Sequence, residues 1–301
     1  MRHTLSFVLV FGFFFGCEPK KEVLDVSEFF GVWVAEDYYN SIAKTQSPFL
    51  SRNAFDRWDP VALRLNPTER KGDTLHIGFA NLAGKVISAD VSEYTYVKGL
   101  KVGEDGFFKL VLPQKDSLGY YQTLPKTVQG SLWESQLRFD TVSRSIYYYR
   151  KNTASRLTKP IKYIQVADAF KETYPYPNPL RFYLINTLLS NSYELRDAFG
   201  NLLAPLVEFR DNTIHGFPGL NNFLVEINTD HYEPIESEEY LDLIIFCDIF
   251  SPIGSTCHNY FFEKNENEDL LLYNWNTSDR SEHKLRLEYI LKQLKGKKVK
   301  N

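Results

Sequence analysis

The residues with the most chemistry in the body of the chain are two cysteines, several carboxylates and a large set of tyrosines. Cys247 and Cys257 flank the segment Asp248 to Thr256, whose Pro252-Ile253 reads as a hairpin turn. On paired strands the two thiols would face each other, within the Cα separation of about 4.4–6.8 Å that a disulfide needs. Two separate buried thiols, or a redox or metal pair with His258, are the alternatives. Two cysteines with one adjacent histidine make a poor metal pattern. Asp230, His231 and Glu233 also cluster. In an extended segment His231 and Glu233 point one way and Asp230 the other, so only a turn gathers them as ligands. A solvated acidic loop running on into Glu236-Ser237-Glu238-Glu239 is the simpler reading. Glu36 and Asp37 are adjacent on one chain and rarely face each other as a glycosidase pair would. As first-turn acids of a helix they complement its dipole. Lys44 and Ser47 stand three apart at a helix end, where capping is expected rather than Ser–Lys catalysis. His76 sits on an alternating strand, as a core or surface histidine would. No Gly-rich phosphate loop, G-x-S-x-G elbow or His-Glu-x-x-His is present. No catalytic constellation, metal site or cofactor is therefore called for.

Cys17 is different. Met1-Arg2-His3 gives a basic start, and Thr4 to Gly16 is apolar. That run is shorter than the roughly 20 residues of a spanning helix and fits the h-region of a secretory signal. Phe14-Phe15-Gly16-Cys17 resembles the lipobox of bacterial lipoproteins, in which the signal is cut before a cysteine that carries lipid. It departs from the usual pattern at Phe14, where Leu is common, and at Phe15, where a small residue is. The resemblance implies a signal over 1–16, lipidation at Cys17, a tether over 17–26 and a cell-envelope location. Glu18 stands where inner-membrane lipoproteins carry Asp, which points to the outer membrane. Export also implies a compartment that permits disulfides. Losing Arg2 takes the basic count from 35 to 34 against 38 acids, a net charge of −4. With no concentrated basic footprint, nucleic acid is not an expected partner.

The elements that must position these residues are mostly strands. The chain holds 19 Tyr and 23 Phe against a single Met, and aromatic side chains suit a pleated surface. Strands are expected at 62–65, 74–79, 108–112, 146–149, 161–166, 206–209, 223–227, 240–246, 259–262 and 270–273. Such spacing indicates an all-β, mainly antiparallel sandwich or barrel. Helices are few: Ala35 to Thr45, halted before Ser47-Pro48, and Arg181 to Leu189. His283 to Leu294 fits either a strand or a helix face and reads better as a last strand. Pro175, Pro177 and Pro179 mark a stiff linker over 173–180, dividing a domain at 27–172 from one at 181–301.

The halves show traces of duplication. Tyr149, Asn152, Thr153 and Arg156 align with Tyr273, Asn276, Thr277 and Arg280. Gly31-Val32-Trp33 aligns more weakly with Asn191-Ser192-Tyr193. Gly31 and Trp33 on a first strand resemble the Gly-x-Trp of lipocalin-like (calycin) barrels. Lys44-Thr45-Gln46-Ser47-Pro48 is similar to a segment of uncharacterised lipocalin-like lipoproteins of Bacteroidota. The resemblance implies a lipocalin-like barrel in the first half, closed at its narrow end by Trp33, with an interior for a small apolar ligand. It implies no activity. Trp33, Tyr120, Tyr147 and Tyr149 are the candidate ligand-facing residues, since tyrosine joins an apolar ring to a polar tip.

Three functions are weighed: a lipid-anchored carrier of a small apolar or amphipathic ligand, an interaction lipoprotein of an outer-membrane protein complex with a glycan-related role, and, least, an envelope hydrolase.

Overall fold

A computed structural model describes residues 26–55, 59–71, 74–82, 95–98, 100–102, 107–110, 136–149, 160–168, 178–210, 212–228, 241–248, 256–275 and 285–294. The strands of the first half are β1 (Gly31–Ala35), β2 (Pro60–Lys71), β3 (Thr74–Asn81), β4 (Thr95–Lys98), β5 (Leu100–Val102), β6 (Phe107–Leu110), β7 (Gln136–Asp140), β8 (Ser145–Tyr149) and β9 (Ile161–Ala167). They form one antiparallel sheet in the order β4-β3-β2-β1-β9-β8-β7-β6-β5. Its two edge strands are separated in the chain by a single residue. Two successive Cα steps reach at most about 7.6 Å, so the edges return to each other and the sheet curls round on itself.

The second half contains β10 (Ser192–Asp197), β11 (Leu202–Arg210), β12 (Thr213–His215), β13 (Leu224–Asn228), β14 (Asp242–Asp248), β15 (Thr256–Lys264), β16 (Leu270–Trp275) and β17 (Leu285–Gln293). These close into an eight-stranded barrel in chain order. β10 pairs with both β11 and β17, just as β1 pairs with both β2 and β9. Each half is thus a meander whose first strand is also the neighbour of its last. Trp33 on β1 and Tyr193 on β10 are both fully buried. Tyr149 and Tyr273 both lie near the end of the penultimate strand of their half, with the remainder of both aligned segments largely outside the described residues.

The helices follow local chemistry. α1 (Glu36–Thr45) ends where Gln46 takes a left-handed conformation, φ 52°, and its N–H bonds the Ile42 carbonyl. Its first-turn acid Glu36 meets Lys162 at 2.7 Å. Ser47 then caps α2 (Pro48–Ser51), its hydroxyl accepting from the Leu50 amide with Pro48 at the first position. α3 (Pro179–Leu188) starts inside the expected linker, because Asn178 caps it by accepting from the Leu180 and Arg181 amides and Pro179 fills the first position. Residues 173–177 lie outside the described residues.

α3 also explains why Pro-Leu-Arg-Phe-Tyr-Leu-Ile-Asn-Thr-Leu lacks a single apolar stripe. A helix that packs on two sides needs a broad apolar face rather than a narrow stripe, and here Asn186 keeps the remaining side exposed. Leu180, Tyr183, Leu184, Ile185 and Leu188 are buried. The helix packs on β1, β2 and β3 on one side and on β13 on the other, where Arg181 meets Glu226 at 2.5 Å. It is a wedge between the two halves, and buried side chains from both halves form one continuous core.

Candidate functional site

The Gly-x-Trp of β1 is built by backbone geometry. Gly31 has φ +134°, and a Cβ there would lie 2.1 Å from the Ala167 carbonyl oxygen of β9. Only glycine permits this approach. The pairing with β9 shifts register between Val32 and Trp33. The shift leaves Trp33 fully buried, its Nε1–H donating to the Phe29 carbonyl at 2.8 Å and its ring packed on Phe29. Phe29 continues edge-on to Phe139 at 4.9 Å. Trp33 is a core residue whose one polar atom is already satisfied.

On β8 the side chains alternate. Ile146 and Tyr148 face the core, and Tyr148 is 1% exposed. Tyr147 and Tyr149 take the outer face and are half-buried. Tyr147 lies opposite Arg138 on β7 and Lys162 on β9, and the Arg138 guanidinium sits 6.0 Å from its ring. The inward tyrosine of the triple is therefore Tyr148, one position from both residues expected to line a pocket. Tyr163 joins it inside, its hydroxyl donating to the Pro60 carbonyl. Burial pushes that phenol well above its ordinary pKa. Cys17, Tyr120, Asp230, His231 and Glu233 lie outside the described residues.

In the second half Cys247 and Cys257 are directly opposite on β14 and β15 and form a disulfide, their Cα atoms 4.1 Å apart, slightly below the usual span. It sits at one end of the barrel, together with the β10–β11 hairpin and the Gly216–Phe223 connection. Gly216, φ +78°, turns the chain in against β11, where a Cβ would lie 2.2 Å from the Leu206 carbonyl oxygen. This close turn delivers Phe217 into the barrel. Its ring meets Phe246 at 6.2 Å and Tyr289 at 5.2 Å. Tyr260 closes the set, 5.8 Å from Phe246 and 5.9 Å from Tyr289. Further out on the same face of β15 is His258, exposed, with its ring 6.1 Å from Phe223. The aromatic network thus runs from Phe246, fully buried, to the half-buried Tyr289 and Phe223 and the exposed His258.

The two phenols at this end are neutral and amphipathic, with the Glu288 carboxylate beside them. Burial, with the Glu288 charge second, holds the Tyr260 phenol well above its ordinary pKa, and burial pushes Tyr289 up to about 12. Both stay protonated at neutral pH, so each presents a ring and a hydroxyl without charge. Asp242, which is buried, and Lys264, which is half-buried, are at the other end of the barrel. Burial raises the pKa of Asp242 to about 6 and lowers that of Lys264. The sequence does not mark this site, because Phe217, Phe246, Tyr260 and Tyr289 come from four separate segments. The available signal was that Phe246, Tyr260 and Tyr289 each fall on an expected strand. The register of β14 to β17 and the turn at Gly216 together bring the four rings to one place.

Among the described residues, no group of three or more His, Cys, Asp or Glu could hold a metal ion, and no helix is long and apolar enough to cross a membrane. No protein-family model, curated protein or solved structure matches this chain.

Proposed function

We propose that this chain is a lipid-anchored binding protein of the cell envelope that holds a small apolar or amphipathic ligand in a β-barrel. The observation that carries the reading is the aromatic end of the C-terminal barrel, where the buried rings of Phe217 and Tyr260 meet that of the half-buried Tyr289 and both tyrosine hydroxyls are neutral. Barrel mouths are favoured places for small-molecule sites lined by aromatic side chains with a few polar groups. The anchor reading rests on the basic start, the apolar run and Gly16-Cys17. The lipocalin-like reading is supported by Gly31 and Trp33 on the first strand of a meander that returns to pair with that strand. The site differs from the one that the resemblance implies: it lies in the second half, away from Trp33, Tyr147 and Tyr149.

Native mass spectrometry of the mature chain, purified gently from its own membrane, tests both parts. The expected result is a bound small molecule of defined mass, lost in the variant Tyr260→Ala/Tyr289→Ala, on a chain whose first residue is acylated Cys17. An apo mass with a co-purifying protein would overturn the carrier reading in favour of an interaction lipoprotein of an outer-membrane complex. An unmodified Cys17 would overturn the anchor.

A further inference from the structure

The β10–β11 hairpin carries an apolar surface that the barrel does not use. Phe199 at its tip is 84% exposed, and Leu202, Leu203 and Leu206 follow at 52%, 45% and 41%. Regular alternation would turn half of the strand residues inward. Instead β11 uses six residues, Leu202 to Val207, against four on β10, Tyr193 to Arg196. The two register shifts are bulges, and bulges re-aim side chains. They leave only Ala204 and Val207 of these six inside and put Leu202, Leu203, Pro205 and Leu206 outside. From Ala198 to Val207 there is no charged residue, in a chain that is 24% Asp, Glu, Lys and Arg. The nearest charges are already engaged. Asp197 accepts from the Phe199 and Asn201 amides, and Arg196 bonds Glu194 and the Gly200 carbonyl. An exposed apolar patch of this kind marks an interaction surface.

We infer that this hairpin rests in the lipid bilayer and orients the mouth of the C-terminal barrel toward the membrane. Three observations select lipid as the occupant. The surface is a protruding hairpin tip headed by a phenylalanine, a shape that enters a fluid apolar phase. It has no free charge with which to select a protein partner. Eight residues separate Cys17 from Val26, the first described residue, and a chain of that length reaches at most about 30 Å, so an acylated Cys17 keeps the body next to a bilayer. The last point rests on the anchor reading above. The hairpin and the aromatic mouth are at the same end of the barrel, since Asp197 pairs with Tyr289. The ligand class that this geometry admits is accordingly one that partitions into lipid and enters from the bilayer side.

The test uses the full mature chain with Cys17→Ser, which removes the acyl group, and vesicles of phosphatidylcholine alone. The chain is expected to float with the vesicles, with little dependence on salt because the contact is apolar and the protein is net negative. Phe199→Ser/Leu203→Ser should lower the partition coefficient at least about tenfold, given the cost of withdrawing two apolar side chains from lipid, while its thermal melt stays that of the parent chain. As a second readout, amides of 198–206 should exchange more slowly when the acylated chain is in vesicles than when the Cys17→Ser chain is in buffer. Absence of flotation, or flotation unchanged in the double variant, would overturn the inference. So would a concentration-dependent dimer in sedimentation velocity that the double variant abolishes, because the occupant would then be a second copy. Absence of the acyl group from Cys17 in the native chain overturns the anchor reading without changing the flotation result.

Discussion

The Asp242 carboxylate, at the start of β14, accepts a hydrogen bond of 2.6 Å from the backbone amide of Phe49, 193 residues earlier in the chain. Phe49 lies in the first turn of α2, so a side chain of the C-terminal barrel supplies the acceptor for a helix start in the N-terminal half. Asp242 is 5% exposed, and burial raises its pKa from 3.8 to about 6 despite the opposing bonds from Ser47 and Phe49. With the folded pKa above the unfolded one, the protonated group's stability contribution is complete below about pH 3.8 and is lost as pH rises through about 6. A shift of about two units corresponds to roughly 3 kcal/mol. Asp242→Asn should therefore raise the melting temperature at pH 7.5 and leave it nearly unchanged at pH 4. Asp242→Ala should lower it at pH 4, where the Phe49 amide loses its acceptor at a cost of about 1–3 kcal/mol, and should change it less at pH 7.5, where removing the buried charge offsets that loss. Thermal melts of the three chains across pH 4–8 decide the matter.

The Lys44-Thr45-Gln46-Ser47-Pro48 segment is a joint between two helices. Thr45 Oγ1 donates to the Ser47 carbonyl, meets Ser51 Oγ at 2.8 Å and accepts from the Ser47 amide, while Ser47 caps α2. Lys44 is exposed in the last turn of α1. Ser47→Ala should cost about 1 kcal/mol in urea unfolding, the typical value of a lost cap. Lys44→Ala should stay within about 0.5 kcal/mol, as surface changes do. Equal losses in both would contradict the capping role and reopen a functional pairing of the two.

Gly31 is where the first half is least tolerant. A methyl group there meets the Ala167 carbonyl at 2.1 Å in a conformation that side chains rarely adopt, and such strain costs of order 1–3 kcal/mol before any clash. Gly31→Ala should destabilise by about 3 kcal/mol or more. Trp33→Phe, which keeps most of the packing and loses the bond to the Phe29 carbonyl, should cost about 1–2 kcal/mol. Denaturation curves for the two variants give the order directly, and a milder Gly31→Ala would contradict the close approach of β1 and β9.

The disulfide clamps the β14–β15 hairpin at the same end as the aromatic mouth. A loop of this size gives about 2–3 kcal/mol in the chain-entropy account. Cys247→Ser/Cys257→Ser should lose stability by that amount, and thiol titration of the unreduced wild-type chain, denatured after removal of the signal, should detect at most Cys17. Free thiols at 247 and 257 would be the contrary result.

Much of the strand inventory was legible because alternating runs such as Ile161 to Val166 and Thr74 to Phe79 carry the period of a strand. β4, β5, β7, β10 and β12 were not: they are short or, like Ser192-Tyr193-Glu194-Leu195-Arg196-Asp197, mix charge with single apolar positions. The end of the Pro-rich segment was ambiguous because Asn178-Pro179 is both a linker composition and a helix start. The mouth was not legible, since its rings come from separate segments and meet only through strand register and the turn at Gly216. The two bulges on β11 were equally hidden, because a bulge breaks the period by which strands are recognised.

Tyr147-Tyr148-Tyr149 shows how one step of phase decides a role. The sequence marks three rings and does not say which face is inward. Residues on β7 and β9 settle it: Tyr148 pairs with Leu137 and Ile161, whereas Tyr147 pairs with Arg138 and Lys162. Leu137 is fully buried and Arg138 exposed, so the core lies on the Tyr148 side. Tyr148→Ala should destabilise by about 3–5 kcal/mol, the range for deleting a buried aromatic ring. Tyr147→Ala and Tyr149→Ala should each cost about 1 kcal/mol or less, since each removes a ring that is partly in water. Urea titrations of the three single variants measure the contrast. A large loss at Tyr147 or Tyr149 with a small one at Tyr148 would reverse the phase of β8 and return both residues to the barrel interior.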